Sequence, residues 1–109
     1  MYKTISSFED FNNMKSESQA VLFYFSHDGC NVCKVLKPKI YEMLQNDFSN
    51  IEFRYVDIKK TPDISAQNSI FTVPTILVYF EGKEFVRRSR NIGLDELRDI
   101  VKRPYSLMF

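Results

Sequence analysis

The chain has 109 residues, enough for one hydrophobic core and too few for two, so a single domain over 1–109 is expected. A 44% hydrophobic share, with 10 Phe and 6 Tyr against 27% charged residues, excludes a disordered polymer. Lys and Arg total 15 against 14 Asp and Glu, so no net field draws the chain to nucleic acid or anionic lipid, and neither is an expected partner.

Tyr2 to Ile5 reads as a short strand, and Ser6 with Glu9 three positions on reads as a capping box opening a helix with Phe8, Phe11 and Met14 on one face. No apolar stretch of signal-peptide or membrane-span length follows, which makes the cytoplasm the expected address. The unbroken run from Ala20 to Phe25 is that of a strand buried on both faces. Beyond Cys30 a helix is predicted to about Asn46, with an apolar stripe of Val32, Leu36, Ile40, Met43 and Leu44. Pro38 should bend it, since proline removes the bond to the Lys34 carbonyl.

A strand over 51–58 follows, then a short helix capped by Thr61 with Pro62 at its first position. Thr75 to Phe80, the turn Glu81-Gly82-Lys83, and Glu84 to Arg88 form a predicted hairpin. Arg87, Arg88 and Arg90 read as the solvated end of its outer strand rather than as a phosphate site. A last helix begins near Leu94 with the stripe Leu94, Leu97, Ile100 and Val101. The order β-α-β-α-β-α-β-β-α predicts an α/β domain whose mixed sheet carries helices on both faces.

Cys30-Asn31-Val32-Cys33 sits where a central strand gives way to a helix. There the free N–H groups and dipole of a helix N-terminus favour a thiolate. The dipole contributes about 0.3–2 kcal/mol, which moves a pKa by at most about one and a half units, so N–H···S bonds must add to it. Zinc is the competing use of a C-x-x-C, but it normally takes four ligands and His27 is the only other soft donor, so no metal is expected. His27 in the polar segment His27-Asp28-Gly29 reads as a loop residue close enough to modulate Cys30 rather than as a base.

The central strand, the C-x-x-C, Lys34, Pro38 and the later Thr72-Val73-Pro74-Thr75 together resemble the thioredoxin family over nearly the whole chain. The resemblance implies the thioredoxin fold and thiol–disulfide oxidoreductase activity, with Cys30 as nucleophile and Cys33 resolving. It also implies a cis Val73-Pro74 bond facing the cysteines, and no cofactor beyond the redox-active Cys30–Cys33 disulfide. Phe71, Thr72, Val73, Pro74, Ile92 and Gly93 would then dock extended substrate by added-strand hydrogen bonding. Lys34 and Lys37 would add positive potential. The implied partners are disulfide-containing proteins and a thioredoxin reductase or equivalent donor, with the chain acting as a monomer.

The resemblance departs from the family at its centre. Family members usually carry Trp-Cys-Gly-Pro-Cys, whereas Gly29 precedes Cys30, Asn31 and Val32 separate the cysteines, and the chain has no Trp. A buried Asp usually stands six residues before the first cysteine, where this chain has Tyr24, and the lysine that accompanies it falls near Phe53. Tyr24 should therefore either relay the Cys33 proton weakly or simply fill volume. Two rival functions remain open from the residues: a glutaredoxin-like, glutathione-dependent reductase, and a binding or chaperone module with little redox activity. The residues after Pro104 have no counterpart in the resemblance.

Overall fold

The computed structural model describes residues 2–109. The nine elements follow in the expected order: β1 (Lys3–Thr4), α1 (Phe8–Glu17), β2 (Ala20–Ser26), α2 (Asn31–Asp47), β3 (Glu52–Asp57), α3 (Pro62–Gln67), β4 (Thr75–Phe80), β5 (Lys83–Ser89) and α4 (Leu94–Met108). The sheet order is β1-β3-β2-β4-β5, with β2 at the centre. β1 and β2 run parallel to β3, whereas β4 is antiparallel to both β2 and β5.

Every β2 residue is buried because its side chains alternate between two cores. Val21, Phe23 and Phe25 meet Phe11 of α1 and Ile64 of α3 on one face. Ala20, Leu22 and Tyr24 meet Cys33, Ile40 and Leu44 of α2 and Leu97 and Val101 of α4 on the other. The first core is strongly aromatic: the Phe11 ring lies 4.4 Å from that of Phe23, which is 5.7 Å from Tyr79. Each fully buried side chain of this size contributes about 1.5–3 kcal/mol through lost apolar exposure.

Several local expectations shift. Helix α1 is capped by Ser7, whose hydroxyl accepts from the Asp10 N–H at 3.0 Å, while the Asp10 carboxylate reaches back to the Ser6 N–H at 2.9 Å. Ser7 is therefore the cap, one residue later than Ser6, and the returning carboxylate is that of Asp10 rather than Glu9 and takes the N–H of Ser6 instead of the cap's own. Thr61 precedes α3, but its hydroxyl donates to the Asp57 carbonyl instead of capping. Glu81 and Gly82 both take positive φ, 51° and 81°, the two-residue turn that matches strand twist.

Proline ends neither helix. Pro38 lies inside α2 and Pro104 inside α4. In α4 the unassigned tail earns its continuation: Tyr105 stacks edge-on against Phe48 at 5.1 Å and its hydroxyl accepts from the Asn50 backbone N–H at 3.1 Å. These contacts offset the roughly 3 kcal/mol that an internal proline costs. Among the described residues, no helix is long and apolar enough to cross a membrane.

Candidate active site

Strand register gathers the site. Phe25 near the carboxyl end of β2 pairs with Thr75 at the start of β4, and Thr75 pairs with Ser89 at the end of β5. The segments after β2, before β4 and after β5 therefore emerge at one end of the sheet. They hold Cys30, the Val73–Pro74 bond, and Ile92 with Gly93, respectively. Side chains lock this convergence: the Thr75 hydroxyl donates to the Thr72 carbonyl at 2.7 Å and lies 3.0 Å from the Ser89 hydroxyl. The Arg90 N–H donates to the Pro74 carbonyl at 2.8 Å. The Val73–Pro74 peptide is cis, as the resemblance implies.

Cys30 is the N-cap of α2 and is bonded to Cys33 as a disulfide, with their Cα atoms 5.2 Å apart. The Cys30 sulfur accepts from the Cys33 N–H at 3.2 Å. No acidic side chain stands in the first turn of α2 to compete for those N–H groups. The two cysteines differ in exposure: Cys30 is half-buried, whereas Cys33 is only 1% exposed. A thiolate at the first can be reached by a large substrate; one at the second can be reached only from within the fold.

His27 lies in the approach to this cap as a loop residue, its Nδ1 accepting from the Gly29 N–H at 3.0 Å. The His27 carbonyl accepts from the Cys30 N–H at 3.1 Å. It thus shapes the turn that delivers Cys30. Lys34 is exposed beside the pair. The Lys37 ammonium sits 4.7 Å from the Tyr2 ring centre and 4.4 Å from that of Tyr55. A cation over two aromatic faces is held there by their quadrupoles. Phe71 is 83% exposed, while Thr72, Val73 and Ile92 are half-buried. Among the described residues, no group of three His, Cys, Asp or Glu side chains converges as a metal site would require.

Tyr24 is fully buried beneath the pair, and its hydroxyl donates to the Cys33 backbone carbonyl at 2.7 Å. Its ring stacks on Phe53 at 6.0 Å and lies 6.4 Å from Tyr55. Burial, reinforced by Tyr55, drives the phenol far above its ordinary value, so it stays protonated across the neutral range. Spacing alone could not disclose this bond, since it joins a strand to a helix carbonyl across the core.

Burial also raises Tyr55 and Tyr79, so all three phenols keep their protons to higher pH in the fold than in the unfolded chain. Their contribution to stability is therefore complete below pH 10.0, the ordinary tyrosine value, and is lost as pH rises above it toward the folded values. Denaturant midpoints followed between pH ~8 and ~12 should fall on the alkaline side, with a shallower fall in Tyr24→Phe. Equal slopes for parent and variant would refute the part assigned to Tyr24.

An accessible sulfur on a helix N-terminus, bonded to a buried one a turn later and flanked by a cis-proline segment, defines a dithiol–disulfide exchange centre. Comparison with known proteins agrees. The thioredoxin family model matches residues 3–103. The thioredoxin-like protein YdfQ of Bacillus subtilis is 28% identical over 94% of this chain and 91% of its own length. The thioredoxin of Chlamydia trachomatis is 31% identical over 78% of this chain and 79% of its own. A Plasmodium falciparum thioredoxin structure superposes with a TM-score of 0.82 at 22% identity, covering 93% of this chain and 98% of that one.

The chain belongs to the thioredoxin family, and its fold is the thioredoxin fold. Family, fold and the joined Cys30–Cys33 pair make it a protein thiol–disulfide oxidoreductase. Thioredoxins need no cofactor beyond that sulfur pair.

Proposed function

We propose that Cys30 is the attacking sulfur and Cys33 the resolving one. The observation that carries this assignment is the unequal exposure of the two cysteines, one half-buried at the helix cap and one buried beneath it. The Cys30 thiolate attacks one sulfur of a substrate disulfide, a Cys30–substrate bond forms, and the other substrate sulfur leaves as a thiolate that takes a proton. Cys33, having lost its proton, attacks the Cys30 sulfur. The Cys30–Cys33 bond forms, and the second substrate sulfur departs and is protonated in turn. Two electrons and two protons pass to the substrate, leaving the oxidised pair for an external donor to reduce.

Substrates on this reading are proteins presenting an extended segment to Thr72, Val73 and the carbonyl end of the cis bond, with exposed Phe71 on one side and Ile92 with Gly93 on the other. His27 shapes the loop that delivers Cys30, and Lys34 adds positive charge near the sulfurs. Tyr24 is a positioning residue: it fixes the Cys33 carbonyl and is too weak an acid to exchange that cysteine's proton. The recycling donor is a thioredoxin reductase or its equivalent, and the chain works as a monomer. We place it in the cytoplasm, where a reducing poise keeps such a pair supplied as the dithiol.

Insulin reduction with alternative electron donors tests this reading. Turnover is expected with NADPH and a thioredoxin reductase, and little with glutathione and its reductase. The β1–α1 unit ahead of the cysteines favours that outcome. The reverse preference would establish the glutaredoxin-like reading, and no turnover with either donor or with dithiothreitol would establish a binding module.

A further inference from the structure

Helix α2 carries two stripes. One, with Ile40, Met43 and Leu44, enters the core, as periodicity predicts. The other runs Val32, Val35, Leu36 and Lys39, the i, i+3, i+4, i+7 spacing of a single helix face, and it lines the surface. Val32, expected in the core, is 65% exposed, and Val35 is 59% exposed. Arg90 and Ile92 stand opposite, and the two walls enclose a groove of about 370 Å³.

The groove has one lining residue, Val32, that stands in the chain between the two cysteines. Its far wall is tied to the cis-proline segment by the Arg90 N–H bond to the Pro74 carbonyl. Arg90 itself holds φ at 62°, a left-handed conformation that this bond maintains in a residue other than glycine. The lining is aliphatic at Val32, Val35, Leu36 and Ile92, with the amide Asn91 and two exposed cations, Lys39 and Arg90. Among the described residues neither joins an ion pair, and no carboxylate lines the groove.

We propose that this groove receives the polypeptide flanking the attacked cysteine of a protein substrate, and selects flanks that combine an aliphatic side chain with a carboxylate. The proposal rests on the reading of Cys30 as the attacking sulfur. An aliphatic residue seated on Val32, Val35, Leu36 and Ile92 removes water from apolar surface on both partners. A carboxylate then meets two cations with no competing anion, whereas a basic flank meets like charge. Since both cations are solvent-exposed, the charge selection acts mainly on association rate and weakens with salt.

Two synthetic peptides test it, each holding one cysteine as a mixed disulfide with 2-thiopyridine. One has Leu and Glu on both flanks, the other Ala and Lys. The fully reduced protein is mixed with each, release of thiopyridone gives the rate, and every rate is divided by that on hydroxyethyl disulfide, a neutral disulfide too small to fill the groove. The Leu/Glu peptide is expected to react about tenfold faster at low salt, the preference shrinking at ~0.5 M salt. Combined Lys39→Glu and Arg90→Glu should turn the charge preference toward the Lys peptide, and Val35→Ser should lower the advantage of Leu. Equal normalised rates for the two peptides, or a preference identical in the variants, would overturn the groove proposal alone. Failure of the parent to reduce hydroxyethyl disulfide would remove the reading of Cys30, and this proposal with it.

Discussion

Cys30→Ser is expected to lose insulin-reductase turnover by at least about 10³-fold, because a serine hydroxyl at neutral pH supplies almost none of the nucleophile that a thiolate does. Cys33→Ser should fail differently. Its first attack survives, but nothing within the fold can release the substrate, so one equivalent of substrate remains joined to Cys30 and is visible as added mass by non-reducing mass spectrometry. The asymmetry follows from access: Cys33 is 1% exposed and packs in the core with Ile40 and Leu44, so a folded substrate cannot reach it. Trapping in Cys30→Ser and none in Cys33→Ser would reverse the two roles.

Tyr24→Asp should have the next largest effect, and it acts on stability and chemistry in opposite senses. The substitution removes a ring stacked on Phe53 and puts a carboxyl among apolar side chains, at a cost of about 3–5 kcal/mol. Burial raises that carboxyl in the fold relative to the unfolded chain. The destabilisation is therefore least below the unfolded value near ~3.9 and grows as pH climbs from there to the folded value. The same carboxylate, once ionised, gives Cys33 a base that Tyr24 does not provide, and single-turnover release of a trapped substrate should quicken toward about 10²-fold. Tyr24→Phe separates positioning from proton transfer. It keeps the ring but leaves the Cys33 carbonyl without its 2.7 Å partner, costing about 1–3 kcal/mol. Its release rate should fall by a constant factor across neutral pH, because the lost phenol holds its proton throughout that range. Release in Tyr24→Asp equal to the parent at every pH would show that Cys33 needs no such base.

The pairing of Cys30 with Cys33, the burial of β2 on both faces, the hairpin turn and the element order were all legible in the sequence. Each depends on interactions between residues close in the chain: a strand reads as buried when every position is apolar, and a C-x-x-C at the start of a helix places two sulfurs one turn apart. The Val73–Pro74 bond was legible only through resemblance, since most X-Pro bonds are trans.

The outward turn of Val32 was not legible, nor was the commitment of Lys37 to Tyr2 and Tyr55. Helical periodicity fixes which residues share a face but not which face meets the sheet, and α2 carries apolar residues on two faces. Only docking against β2, β3 and α4 chose between them. The same holds at Tyr24, where sequence supplied a ring in place of a carboxyl and tertiary structure supplied the carbonyl it binds. Local chemistry thus determined that two sulfurs would meet at a helix N-terminus. Which of them solvent can reach, what stands beneath them, and what surface lies beside them were decided by packing between segments far apart in the chain.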